Sequence, residues 1–125
     1  MAAVELAARL IDAIAAQDFA AVGRLLAPDA RLRALVPPGV RDDEGREAVV
    51  ARLTLWFGDT RDLSIVESEA EELAGRIRFR YRLRGREEGA WVVQEQSGYV
   101  DVRDGTIVAI DLVCSGSRPV LAPPE

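Results

Sequence analysis

The spacing of apolar positions changes period along this chain, from helical in its first half to two-residue alternation in its second. From Val4 to Ile14, the residues Leu6, Ala7, Leu10, Ile11 and Ile14 recur at three- and four-residue steps, which places them on one stripe of a helix. Asp18 then stands where a carboxylate can accept from the free amides of a new first turn. Phe19, Val22, Leu25 and Leu26 supply the stripe of this second helix, and Pro28 is expected to stop it. The two helices should form a hairpin. Ala30 to Val36 reads as a short strand with Leu32 on one side and Arg31 and Arg33 on the other, closed by Pro37-Pro38-Gly39. Gly45 opens a third helix in which Val49, Val50, Leu53, Trp56 and Phe57 share a face, and Gly58-Asp59 ends it.

Beyond Asp59 the alternation takes over. Residues 63–73, 76–84, 90–102 and 106–114 read as four strands, and the links between them are short enough to predict consecutive antiparallel hairpins. The clearest run places arginine at 76, 78, 80, 82 and 84, with Ile77, Phe79, Tyr81 and Leu83 between them. Only a strand with one apolar and one cationic face suits that pattern. The order helix, helix, strand, helix, then four strands predicts an α+β domain in which three N-terminal helices cover one face of a curved, cone-shaped antiparallel sheet. One domain is expected over residues 1–116, followed by a flexible tail over 117–125 with three prolines.

Composition narrows the chemistry. The chain has 125 residues, 49% apolar and 30% charged, enough for one globular core. A net charge of -5 argues against nucleic-acid binding. No apolar run approaches the roughly 20 residues that cross a bilayer, and Glu5 interrupts the N-terminal apolar stretch, so a cytoplasmic protein without a membrane partner is expected. The sixteen basic residues are all arginine and histidine is absent. Histidine-based triads, histidine-ligated zinc, lysine Schiff bases and lysine-bearing phosphate loops are thereby excluded. Cys114 is alone, so it has no intrachain disulfide partner. Asp42, Asp43 and Glu44 form the densest acidic cluster; directly before Gly45, they suit a helix start better than a metal site, and neither metal nor cofactor is expected.

Three segments, Gln17 to Ala30, Gly45 to Val49 and Asp104 to Ile110, resemble the nuclear transport factor 2-like superfamily, with its SnoaL-like branch the best match. The resemblance spans about residues 3–116. It implies the same cone-shaped scaffold, a scaffold used both by isomerases, cyclases and hydrolases and by non-catalytic dimerisation or protein-interaction modules. It also implies a homodimer through the outer sheet face.

Parity assigns the faces. Burying the ladder of arginines would cost far more than pairing returns, so Ile77, Phe79, Tyr81 and Leu83 should turn inward, with Glu67, Glu69, Glu71 and Glu95 beside the arginines outside. The same parity sends Gln94, Gln96, Leu112 and Cys114 inward. Two glutamines on an apolar inner face need partners or line a cavity. With Trp56, Phe79, Tyr81, Leu112 and Cys114 they make up the expected ligand-binding set, fitted to a small, largely apolar molecule. Catalytic residues are harder to nominate. Isomerase-like relatives imply a base on the first strand, where this chain has Ala34-Leu35-Val36, and cyclase-like relatives imply an inward aspartate near the end of the sheet. Asp111 is the candidate for the second role, provided that a bulge near Ala109 turns it inward, and Tyr81 is the candidate hydrogen-bond donor.

Overall fold

A computed structural model describes residues 1–120. Helix α1 (Ala3–Ala15) buries Leu6, Ala7, Leu10, Ile11 and Ile14, the stripe read from its spacing, and Ala13 beside them. Helix α2 (Phe19–Leu25) starts where the Asp18 carboxylate accepts from the Ala21 amide at 3.1 Å. Helix α3 (Arg46–Phe57) packs Val49, Leu53 and Phe57 into the core; Val50 and Trp56 are only partly covered, and Leu55 faces water.

Seven strands follow in chain order: β1 (Leu26–Val36), β2 (Gly39–Glu44), β3 (Arg61–Leu73), β4 (Arg76–Glu87), β5 (Ala90–Arg103), β6 (Thr106–Cys114) and β7 (Arg118–Pro119). They form one open sheet in the order β2-β1-β6-β5-β4-β3, with β7 added to β5. The consecutive antiparallel hairpins from β3 to β6 are present. Ile77, Phe79, Tyr81 and Leu83 are buried on the inner face together with Val100, Ile110 and Leu112, against the apolar stripes of the helices. Each such side chain stabilises the fold by roughly 1.5–3 kcal/mol. At Gly98, β5 and β6 come so close that a Cβ would overlap the carbonyl oxygen of Asp111.

Several local expectations are corrected. β1 begins at Leu26 and runs through Pro28, because its ladder with β6 is irregular between Leu26 and Arg31, where proline has no ladder bond to lose. Residues 39–44, read as a turn and a helix-start cluster, form β2, which folds back on β1 across Pro37 and Pro38. Their acids serve as strand side chains: Asp42 accepts from Arg33 at 2.8 Å and Asp43 from Arg52 at 2.9 Å. β1 and β6 lie parallel, joined through everything between them, so the sheet is mixed. The α+β class and the three helices on one face hold. Within the tail, Arg118 and Pro119 pair locally with Val93 and Val92. The rest of that tail, residues 121–125, lies outside the described residues. No helix among the described residues is long and apolar enough to cross a membrane.

Candidate functional site

The inner face of β4 and β5 carries a line of polar groups that deepens into the core. Tyr81 and Gln96 stand opposite each other across the strand pair, as do Leu83 and Gln94. Gln94 is 6% exposed and Gln96 only 1%. The Tyr81 hydroxyl donates to Gln96 Oε1, while Gln96 Nε2 is buried and has no hydrogen-bond partner among the described residues. An unsatisfied buried donor of this kind costs about 1–3 kcal/mol. Burial, and next the neighbouring Cys114 thiol, push the Tyr81 phenol well above its ordinary pKa, so it stays protonated and able to donate. Phe79 stacks on Tyr81 with centroids 5.8 Å apart, and Leu112 and Cys114 are buried beside them on the inner face of β6.

Towards the rim, Gln94 Nε2 donates to Glu87 Oε2 at 3.5 Å, and the same oxygen accepts from Thr60 Oγ1 at 3.3 Å. Thr60 is fixed from behind: Gln17 Nε2 donates to the carbonyls of Phe57 at 2.7 Å and Thr60 at 2.8 Å, tying the helical hairpin to the end of α3. Gly85 makes room for this crossing, since a Cβ there would strike Thr60 Cγ2. Glu87 and Thr60 were missed from sequence. A strand ended at Arg84 leaves Glu87 out, although one further step of the alternation Tyr81, Leu83, Gly85 reaches it.

The expected residue set is therefore only partly brought together. Phe79, Tyr81, Gln94, Gln96, Leu112 and Cys114 share the buried inner face, whereas Trp56 sits half-buried at the end of α3 with the Arg52 guanidinium over its ring at 6.0 Å. None of the principal cavities among the described residues is bounded by Trp56, Tyr81 and Gln96; in this conformation the aromatic rings and aliphatic side chains occupy that space. Asp111 points outward. The bulge between β5 and β6 falls at Val108, and its extra residue leaves both Ile107 and Ile110 buried while Asp111 faces Arg31 at 2.9 Å and Arg76 at 2.8 Å. Partial burial alone would raise the Asp111 carboxyl, but the hydrogen bonds from Arg31 and Arg76 outweigh it and hold its pKa below the usual value.

The outer face carries the ion-pair ladder. Arg76 pairs with Asp101 at 2.7 Å, Arg78 with Glu71, Arg80 with Glu67 at 3.1 Å, Arg82 with Glu95 at 2.8 Å and Arg86 with Asp62 at 2.8 Å. Arg84 has no such partner among the described residues: the acidic series of β3 ends at Glu67, and Ser64 stands opposite Arg84. Beside the ladder lies the largest of the principal cavities, an open groove of about 700 Å³. Leu35, Val40 and Val113 line it, each more than half exposed, with Arg33, Asp111 and Tyr99 nearby. No three His, Cys, Asp or Glu side chains among the described residues converge to hold a metal ion.

Helices over one face of an open, mixed sheet, with polar groups confined to a line inside the cone, make up the α+β fold expected of nuclear transport factor 2-like proteins. Residues 7–110 match the SnoaL-like domain, and the chain belongs to that family. Solved structures agree on the fold. A protein with a ketosteroid isomerase-like fold from Catenulispora acidiphila, solved with trimethylamine, superposes with a TM-score of 0.74 at 16% identity, over 89% of this chain and 85% of that one. A protein from Xanthomonas campestris named as a polyketide cyclase gives 0.70 at 21% identity over 87% of each chain. A nuclear transport factor 2-like protein from Burkholderia xenovorans gives 0.67 at 16% identity, over 90% of this chain and 88% of that one. No curated protein sequence matches this chain.

Proposed function

We propose that this domain binds a small, largely apolar molecule inside its cone and holds it by a hydrogen-bond acceptor presented to Gln96 Nε2. The observation that carries the reading is the buried amide nitrogen with no partner, beside a tyrosine committed to the same glutamine. Inert filler on an inner face is apolar; a buried donor kept unpaired at a cost of about 1–3 kcal/mol suits an acceptor that arrives from outside. Since Phe79, Tyr81 and Leu112 close the space, binding requires these side chains to move apart. Similarity to a protein named as a polyketide cyclase supports an apolar, carbonyl-bearing ligand. Chemistry on that ligand, of isomerase, cyclase or hydrolase type, would need an acid or base from the cone itself. The test is a titration of isotope-labelled protein with octan-2-one, followed through the side-chain amide signals of Gln96. Movement of those signals, lost in Gln96→Met together with at least tenfold in affinity, is the expected result. Unmoved Gln96 signals, or equal binding by the variant, would sink the reading.

A second reading has its own observation. Leu35, Val40 and Val113 leave an apolar floor open on the outer face between ion pairs of both signs, and a second copy of the chain would cover it. The domain would then act as a homodimer through this face, compatible with a ligand in the cone. Sedimentation velocity at micromolar concentration should give a dimer that Val113→Glu converts to monomer; a monomer for the unaltered chain at high micromolar concentration refutes it.

A further inference from the structure

The line of polar side chains inside the cone ends at Glu87, the one carboxylate on the inward parity of β4, β5 and β6 among the described residues. Exposure falls along the line, from half-buried Glu87 through Gln94 to Gln96. Glu87 Oε2 is already engaged by Thr60 and Gln94, at 3.3 Å and 3.5 Å. Its Oε1 has no protein donor among the described residues. The other inward polar group, Gln96 Nε2, is a donor without an acceptor. The deep end of the line therefore holds a buried donor without an acceptor, and the rim end a carboxylate oxygen that no protein donor among the described residues occupies.

We infer that Glu87 selects ligands carrying a hydroxyl group remote from the carbonyl that Gln96 holds. This rests on the cone-binding reading and adds the ligand class to it: an apolar hydroxyketone with its two oxygens at opposite ends. Gln94 lies two residues from Gln96, about 7 Å along an antiparallel strand, and reaches Glu87 through one hydrogen bond, so the two ligand oxygens should lie about 7–10 Å apart. A hydroxyl meeting Glu87 Oε1 makes a charge-assisted hydrogen bond in a partly dry setting, stronger than one between neutral groups. Gln94 positions the carboxylate and separates it from the deep amide. The ion-paired carboxylates of the outer face offer no equivalent, because arginines already occupy them.

Calorimetric titration of the whole chain with octan-2-one and with 8-hydroxyoctan-2-one separates the two claims. The unaltered protein should bind the hydroxyketone about tenfold more tightly than the parent ketone. Glu87→Met should reduce that preference to within about twofold. Should Glu87→Met not fold by circular dichroism, Glu87→Gln keeps the shape without the charge and should reduce the preference to roughly threefold. Equal binding of the two ketones by the unaltered protein, or a full preference retained without the carboxylate, overturns the role of Glu87 and leaves the cone reading standing. Binding of neither ketone overturns both.

Discussion

Replacing Tyr81 with phenylalanine removes one hydroxyl from the middle of the core, and the structure says what that should cost. Gln96 is 1% exposed and its Oε1 has the Tyr81 hydroxyl as its donor, while its Nε2 already has no partner. Tyr81→Phe would therefore leave the whole amide unsatisfied, destabilising the fold by about 1–3 kcal/mol. Gln96→Met alone moves the unpaired polar atom from the amide to the tyrosine hydroxyl, so its net effect should stay within about 1 kcal/mol of zero. The double variant carries no polar atom at either position and conserves volume, so it should match or exceed the unaltered protein by about 1 kcal/mol. Urea unfolding measures all three; with a slope of about 1–3 kcal/mol per molar urea, Tyr81→Phe should lower the midpoint by roughly 1 M at unchanged slope. An unchanged midpoint for Tyr81→Phe, or a double variant no more stable than that single one, refutes the reasoning. Either result would mean that the amide finds another partner, such as a buried water.

The same tyrosine makes stability fall in alkali. Its folded pKa lies above its unfolded value of about 10, so above about pH 10 the unfolded chain loses a proton that the native one retains, and stability declines as pH rises. Tyr81→Phe should flatten that decline in urea midpoints measured across the range, and an identical slope in the variant counts against it. At the acid end, Asp111 has a folded pKa below its unfolded value of about 3.9, so its contribution is complete above that value and is lost as pH falls through the lower one. Asp111→Asn should remove this part of the acid sensitivity and cost no more than about 1 kcal/mol at neutral pH, since the pair with Arg31 and Arg76 is partly exposed; a larger loss by urea unfolding would show the network to be cooperative. Gly98→Ala should destabilise by about 3 kcal/mol or prevent folding, because the new Cβ meets backbone that has no freedom to yield. A midpoint within error of the unaltered chain would mean that β5 and β6 lie further apart.

Local periodicity carried most of the fold. The arginine alternation fixed the two faces of β4 without long-range information, and Tyr81, Gln94 and Gln96 followed inward from it. What escaped depended on partners distant in sequence. β2 lacks a strong alternating pattern and exists because β1 offers it a ladder. The parallel pairing of β1 with β6 leaves no mark in either segment alone. Parity with Leu112 and Cys114 put Asp111 outward, and its arginine partners lie on that side; the bulge at Val108 falls before this run and does not turn it inward. Glu87 was hidden by a boundary error of a few residues at the end of β4, and Thr60 by lying in an irregular stretch that Gln17 holds from the turn between α1 and α2. The filled interior is a packing outcome that composition does not reveal.

The parallel contact between β1 and β6 also governs how such a chain can assemble. Arg31 and Asp111 meet although eighty residues separate them, so during synthesis the first strand waits beside its helices with one edge bare until nearly the whole domain has emerged. Forming that seam closes a long loop before it yields any contact energy, which marks it as a late and slow event compared with the hairpins from β3 to β6. In the interval, the apolar side of β1 is open to the wrong neighbour, including the same strand of another nascent chain. Joining the ends differently, by a circular permutation that opens the turn between β3 and β4 at Ala74-Gly75, would leave the seam between β1 and β6 unchanged in space and let it form earlier in synthesis.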